Sequence, residues 1–443
     1  MRSEQPSQVI LNTVVMGLGM HPGAWRFRDG SAYDYTDLAY FEHIARVSEK
    51  GAIHAIFLAD TLAVSEENYE RPNLGALDPT VVLSVLAGMT SHLGLIATAS
   101  TTFNEPYNIA RRISSLDHLS GGRAAWNIVT TFVPDVAANF GNAGLPQHDD
   151  RYVKAEEFVD IVVKLWESWG EGSTVGDKTR PVFADPTRIH AVDHEGPNYW
   201  VKGPLTLPRT PQVRPVLFQA GSSGPGRNLA ARVADVVFTA QNTTKAALEF
   251  RADIRRRVQQ FGRNPDKVKV MPGLMPVLGG TEAEARARKD KLDECGGQAE
   301  LKKLALRVGC RVEDLKLDQP LPVEKILAND KFRASEGFRA AALRLSTEEN
   351  LTVREILYRN GGGHRQVVGT PEQVADTIET LWREGAADGF NIMIDAFPTG
   401  LDDFVNEVVP LLQKRGIFRT EPVGRTLRES LGIDLLHEHD KAA

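Results

Sequence analysis

Only two cysteines occur in 443 residues, Cys295 and Cys310. They lie in a charged stretch with no histidine close by, so they build neither a four-ligand zinc site nor a disulfide framework, and both are read as reduced thiols. Basic residues are not in excess: 52 Lys and Arg stand against 58 Asp and Glu, a formal charge of −6. Grip on a phosphate backbone needs such an excess, which excludes nucleic acid as an expected partner. Long apolar runs are missing too. The run from Val9 to Met20 is broken by Asn12 and Thr13 and ends at His21-Pro22. It lacks the basic flank and cleavage site of a signal peptide, and no stretch reaches the roughly 18 apolar residues of a membrane span. The expectation is a cytoplasmic protein with no membrane association. Histidines recur at a zinc-binding spacing only at His190 and His194, four apart in the Gly-, Pro- and Asp-rich stretch rather than in a helix-period segment, and at His437 and His439 in the polar tail, and no G-x-S-x-G elbow is present. No metal site is expected.

What is present suits a globular protein with a large core: 42% hydrophobic and 25% charged residues. Short β-branched runs fall at Val9–Gly17, Ile53–Asp60, Leu93–Thr101, Ala124–Thr131, Pro215–Gly221, Asp235–Ala240, Val268–Leu278 and Phe390–Ile394. Helix-period segments follow most of them, and Thr281 and Thr370 stand where capping residues should. Eight strand–helix pairs are the number that closes a parallel α/β barrel, so the predicted fold is a (β/α)8 TIM barrel spanning 1–443 as one domain. Two stretches break the alternation and read as insertions: about 170–212, expected to hold a hairpin, and about 295–365, charged and helical. From about residue 416 a polar tail is expected to wrap the surface.

In such barrels the chemistry sits where strands end, at the C-terminal mouth. Strand ends here bring His21, Phe57 with Asp60, and Thr101 with Asn104 and Glu105. They continue with Asn127 and Thr130, and then with Ala220-Gly221-Ser222-Ser223 leading to Gly226. A glycine- and serine-rich turn entering a helix offers N–H groups at the positive end of the helix dipole, an anion site, or is simply a tight turn. His148 to Tyr152 opens the next helix, where Arg151 or Tyr152 touches a phosphate or an Asp caps the helix. Asp60 and Glu105 also read as a carboxylate pair for glycoside hydrolysis, a role decided by a separation that sequence does not give. His21 and His364, flanked by glycines, suit hydrogen bonding from loops.

Taken together and in order, several runs resemble the bacterial-luciferase-like flavin monooxygenases, in particular the branch that includes nitrilotriacetate and dibenzothiophene sulfone monooxygenases. The runs are His21-Pro22-Gly23-Ala24-Trp25-Arg26, Phe57-Leu58-Ala59-Asp60, Ser100 to Arg111, Ser115 to Ala124, Trp126 to Thr130, His148 to Tyr152, Gln219 to Ser223 and Gly369 to Glu372. The match spans about residues 9 to 415. The resemblance implies a luciferase-like barrel that binds reduced FMN (FMNH2) from a separate NAD(P)H-dependent flavin reductase. With O2 it would oxygenate a small organic substrate through a flavin peroxide. It further implies Asp60, Thr101, Asn127 and Thr130 near the ring and ribityl chain, and His148, Tyr152, Ala220, Gly221, Ser222 and Ser223 around the phosphate. His21, Phe57, Asn104, Glu105, Tyr107 and His364 become the candidates for catalytic contacts, with Phe103, Trp126 and the 295–365 insertion as walls and lid. A homodimer or homotetramer is implied. The competing readings are a deazaflavin (F420)-dependent oxidoreductase of the same superfamily, a barrel hydrolase and a non-catalytic flavin binder. The absence of an evident arginine cluster inclines the substrate toward an apolar or aromatic heterocycle.

Overall fold

The computed structural model describes residues 8–64, 76–131, 133–141, 144, 147–330, 332, 336–360 and 363–434. The β-branched runs form β1 (Ile10–Val15), β2 (Ala55–Leu58), β3 (Gly94–Ser100), β4 (Ala124–Val129), β5 (Val216–Gln219), β6 (Val236–Thr239) and β7 (Lys269–Leu278), followed by β8 (Arg365–Gly369) and β9 (Gly389–Met393). Neighbours pair in parallel in the order β1-β2-β3-β4-β5-β6-β7-β9, and β9 returns to β1 with Ile10 opposite Gly389, which closes an eight-stranded barrel. β8 stands outside this ring. It pairs with the outer half of β7, from Leu274↔Arg365 to Leu278↔Gly369, beyond the stretch that β6 occupies. The sequence pattern does not single β8 out, because only Val367 and Val368 carry a β-branched signal there.

The two-residue period of a strand sorts the side chains. Val14, Phe57, Ile96, Ala125, Phe218 and Met271 fill the interior, while Leu11, Ile56, Leu95, Trp126 and Leu217 join the layer beneath the helices. That layer is covered by α1 (Leu38–Lys50), α2 (Pro79–Ala87), α3 (Pro106–Leu119), α4 (His148–Trp166), α5 (Gly224–Val233) and α6 (Thr244–Gln260). After β7 come α7 (Glu282–Gly296), α8 (Ala299–Val308), α9 (Glu336–Glu348) and α10 (Val353–Asn360), with α11 (Pro371–Arg383) between β8 and β9. The capping signals act as expected. Thr281 and Thr370 each accept a bond from the third helical N–H while Glu284 and Gln373 reach back, closing capping boxes at α7 and α11.

The 170–212 stretch holds two small antiparallel pairs rather than one hairpin, Thr174–Asp177 with Val182–Ala184 and His194–Glu195 with Trp200–Val201. Glu157 of α4 fixes the second by accepting bonds from the His194 ring and from the backbone of Asn198 and Tyr199. Helices α8 to α10 share an apolar cluster of their own, in which Leu304, Val308, Ile326, Leu345 and Ile356 are buried.

The tail departs from expectation. Its polar composition suggested a surface wrap, yet Leu427, Leu431 and Ile433 enter the interior cluster at the N-terminal end of the barrel, beside Ile10, Ala55 and Val216. Leu427 sits so close to β3 that a Cβ on Gly94 would lie 2.5 Å from its Cδ1. Arg428 locks this plug through a two-pronged bond to Asp235, at 2.9 and 3.0 Å. Three apolar residues spaced among charges are invisible to composition because their partners lie on distant strands.

Candidate active site

With the tail filling the N-terminal end, the barrel's open mouth is the C-terminal one. Four neighbouring strands, β2 to β5, deliver most of the expected ligand-facing residues there. At the end of β5 the chain turns sharply into α5. Gly221 N–H donates to Gln219 Oε1 at 2.7 Å, and Ser223 Oγ caps the helix by accepting from Gly226 N–H at 3.2 Å. Arg227 Nε donates to Ser222 O at 2.8 Å, and its guanidinium is held by Asp253. Its two end glycines pack against each other with no room for a Cβ: one on Gly226 would lie 2.8 Å from both Gly221 Cα and the Tyr152 hydroxyl. Tyr152, buried on α4, is thereby placed over the start of α5. A tight turn at a helix N-terminus, carrying two serines and with a phenol above it, suits a phosphate. His148 is the first residue of α4, and its side chain lies outside the described residues.

Beside this turn, β3 and β4 end in a mesh of small hydroxyls. Ser100 Oγ and Thr131 Oγ1 are 2.7 Å apart, Thr102 Oγ1 donates to Thr130 O at 2.8 Å, and Thr101 N–H donates to Val129 O at 2.9 Å. Arg151 of α4 donates to Thr131 O. Thr131 itself has φ of 44°, a left-handed conformation that costs a β-branched residue energy and marks a constrained site. Inside the barrel Asn127 Nδ2 donates to Thr98 Oγ1 at 3.0 Å, while its buried Oδ1 has no partner. An unsatisfied buried acceptor costs about 1–3 kcal/mol, so this atom is poised for a donor from a ligand. Asp60, past the end of β2, is pushed up to about 6 by burial and by the neighbouring Asp78 carboxylate.

On the far side of the mouth His21 is fully committed. Its Nδ1 accepts from Gly23 N–H and its Nε2 faces Asp293 Oδ1, both at 3.0 Å, so the proton resides on Nε2 and the ring ties the β1 loop to α7. His364 stacks on Phe238 of β6 with centroids 5.2 Å apart and meets Phe338 of α9 edge-on at 5.4 Å. Its buried Nδ1 has no partner and faces Gly273, where a Cβ would lie 2.3 Å away. Phe57 packs in the interior against Phe218 and Phe238.

Three further candidates lie on the loop and helix after β3. Asn104 spans Ser100 O and Arg112, Glu105 is exposed at the start of α3, and Tyr107 packs on the outer layer. Trp126, expected as a wall, instead points outward: its Nε1 donates to Ala99 O and its ring meets Phe158 and Trp166. The period of β4 puts it on the opposite face from Asn127. Asn242, after β6, went unnoticed in the sequence, though both its amide atoms are buried without partners. Gly273 also went unnoticed, since nothing local marks a glycine that leaves space for a ring from another element. Among the described residues no group of three His, Cys, Asp or Glu gathers to hold a metal ion.

The closed barrel, the glycine turn beneath Tyr152 and the orphaned polar atoms at the mouth define an α/β-barrel enzyme with a ligand site on one face. Residues 22–389 match the luciferase-like monooxygenase model, so the chain belongs to the luciferase-like monooxygenase family, a family of oxidoreductases. It is 40% identical to N-acetyl-S-(2-succino)cysteine monooxygenase of Bacillus subtilis over 98% of both chains. It is 41% identical to nitrilotriacetate monooxygenase component A of Aminobacter aminovorans over 94% of both. The crystal structure of a riboflavin lyase with modified FMN and riboflavin superposes with a TM-score of 0.85 at 31% identity, covering 97% of this chain and 96% of that one. The chain is thus a monooxygenase of the flavin-dependent kind.

Proposed function

We propose that this protein is the oxygenating component of a two-component system. It takes reduced FMN from a separate NAD(P)H-dependent flavin reductase and uses O2 to oxygenate a small organic substrate. The observation that carries the reading is the turn at Gly221–Gly226: its two end glycines closed against each other, roofed by Tyr152, and set at the start of α5. Ser222, Ser223 and Tyr152 would hold the phosphate there. Thr101, Thr130 and Asn127 would line the path inward, with Asn127 Oδ1 accepting from the ring. Below about pH 6 Asp60 presents an O–H rather than a bare carboxylate. When bound, the flavin supplies the electrons that activate O2, while the chain orients it and excludes water. Phe57, Phe218 and Phe238 form an apolar floor suited to that exclusion.

The term "component A" in the name of the nitrilotriacetate enzyme supports a second component, and the FMN in the riboflavin lyase structure supports the cofactor. The site of action in this reading is the cytoplasm; no helix among the described residues is long and apolar enough to cross a membrane. The same reading includes assembly as a homodimer or homotetramer.

The test is anaerobic titration with reduced FMN followed by mixing with oxygenated buffer while flavin absorbance is recorded. A tight complex is expected, with a transient spectrum unlike that of free reduced or oxidised FMN. Reduced FMN that fails to bind, or that reoxidises as it does in free solution, would overturn the reading. Binding of F420 in its place would establish hydride transfer instead.

A further inference from the structure

The turn after β5 has a twin. β6 pairs in parallel with β5, Val237 opposite Gln219, and each strand reaches a capped helix four residues past its end: Gln219 to Ser223 before α5, Thr239 to Thr243 before α6. Both caps are made in the same way, Ser223 Oγ accepting from Gly226 N–H and Thr243 Oγ1 from Ala246 N–H at 3.1 Å. The residue before the cap is Ser222 in one turn and Asn242 in the other. Asn242 thus holds, on the adjoining turn, the place that Ser222 holds in the phosphate turn, and neighbouring strands run only about 5 Å apart.

The period of β6 sets the direction of its side chain. Val236 and Phe238 belong to the barrel interior, and Val237 to the packing beneath α5 and α6. The alternation continues past the strand. Gln241 Nε2 donates to Thr239 Oγ1 at 2.9 Å, so these two share the outer side, where Gln241 lies among Ala247, Leu381 and Phe390 of the outer layer. Ala240 and Asn242 are left on the inner side, toward the mouth from the stacked rings of Phe238 and His364. Asn242 is only 8% exposed, and neither its Oδ1 nor its Nδ2 has a partner. A buried amide with both ends unpaired is costly, and a leucine of similar volume would avoid that cost. Its complement is a group that both donates and accepts.

A phosphate offers only acceptors, which would leave Oδ1 unpaired and facing negative charge. The residues implied near the flavin ring, Asp60, Thr101 and Asn127, belong to β2, β3 and β4, which lie on the other side of β5 from β6. Between phosphate and ring runs the ribityl chain, a row of neighbouring hydroxyls, each both donor and acceptor. We propose that Asn242 binds the ribityl chain of the flavin beside its phosphate, Oδ1 accepting from one hydroxyl and Nδ2 donating to the next. This rests on the flavin reading above. The phosphate turn fixes one end of the cofactor, and an amide on the chain adds a second point that sets how deep the ring enters the barrel.

The probes are FMN, riboflavin and lumiflavin, which shares the ring but lacks the ribityl chain, each titrated by fluorescence into the full-length protein. Wild type is expected to hold riboflavin at least tenfold more tightly than lumiflavin. Asn242→Leu should weaken FMN and riboflavin at least tenfold and leave lumiflavin unchanged. Its ligand-free urea midpoint should equal or exceed that of wild type, because two unpaired atoms are gone. Asn242→Asp, which sets a negative charge beside the phosphate, should weaken FMN more than riboflavin. A loss in Asn242→Leu confined to FMN would overturn the proposal by moving the amide to the phosphate, and an equal loss for all three ligands would overturn it by moving the amide to the ring. Unchanged FMN and riboflavin affinities, lumiflavin held by wild type as tightly as riboflavin, or a lowered urea midpoint would overturn it too, with the flavin reading intact. Wild-type protein that binds no FMN would sink the flavin reading and this proposal with it.

Discussion

Replacing Gly226 by Ala tests the phosphate turn with a single methyl group. In the wild-type geometry that methyl carbon would lie 2.8 Å from Gly221 Cα, 3.0 Å from Gly221 C and 2.8 Å from the Tyr152 hydroxyl. Comfortable carbon–carbon contact is about 3.5–4.0 Å, so the turn must open by nearly 1 Å. The Tyr152 phenol can swing aside. The Gly221 backbone cannot move without straining its 2.7 Å bond to Gln219 Oε1. Overpacking of this kind costs about 1–3 kcal/mol, and the better helix propensity of Ala offsets up to about 1 kcal/mol of it. The variant therefore folds, with a net loss of at most about 3 kcal/mol. Binding suffers more, because the amides of the turn and the phenol are displaced together. The expected loss for FMN is at least tenfold in Kd, or about 1.4 kcal/mol. Fluorescence titration with FMN and with riboflavin separates phosphate from ring, since riboflavin lacks the phosphate and should bind wild type and variant alike. Unchanged FMN affinity, or an equal loss for both ligands, would refute the assignment.

Asp60 is expected to give stability a particular pH dependence. Its folded value of about 6 lies above the ordinary 3.8, so the folded state retains a proton that the unfolded state has lost between those values. Stability from this group is full below about pH 4 and declines as pH rises through 6, by about 3 kcal/mol in all. Asp60→Asn should abolish that slope and be the more stable protein at pH 8 but not at pH 4; parallel urea-midpoint profiles for the two proteins would contradict the assignment. Arg428→Ala strips a buried carboxylate, Asp235, of its two-pronged partner, for which about 3–5 kcal/mol of destabilisation is expected. The double change Arg428→Met with Asp235→Leu should recover most of that loss in chemical denaturation, and a double variant as weak as Arg428→Ala would argue that the pair does more than satisfy itself.

The ring of strands was legible because parallel barrel strands are buried on both faces and read as short β-branched runs at regular intervals. The same regularity located Asp60, Thr101, Asn127 and Ser222 at the mouth, since position at a strand end is a property of sequence order. Side-chain direction was harder. Trp126 and Asn127 are adjacent, and only the register against β3 reveals that the amide faces in and the indole out. The partners of Asn104, Ser100 O and Arg112, come from the strand before it and the helix after it, so its orientation was not legible locally. The insertion at 295–365 read only as charged and helical, because the orientation of α8 is set by Leu304 and Val308 packing against helices some tens of residues further on. Each miss involves a contact between elements, which no local pattern encodes.

The hydrophobic plug also bears on how this chain is made. Ile417 O receives the N–H of Val9 at the entrance to β1, and Leu427, Leu431 and Ile433 complete the interior packing beneath strands translated long before them. β1 must in addition wait for β9 before its second edge is covered. A nascent barrel therefore carries an unpaired strand edge and an open hydrophobic floor until residues 389–433 emerge from the ribosome, so its closure comes late. Until then that exposed edge and floor are the parts of the chain most open to aggregation.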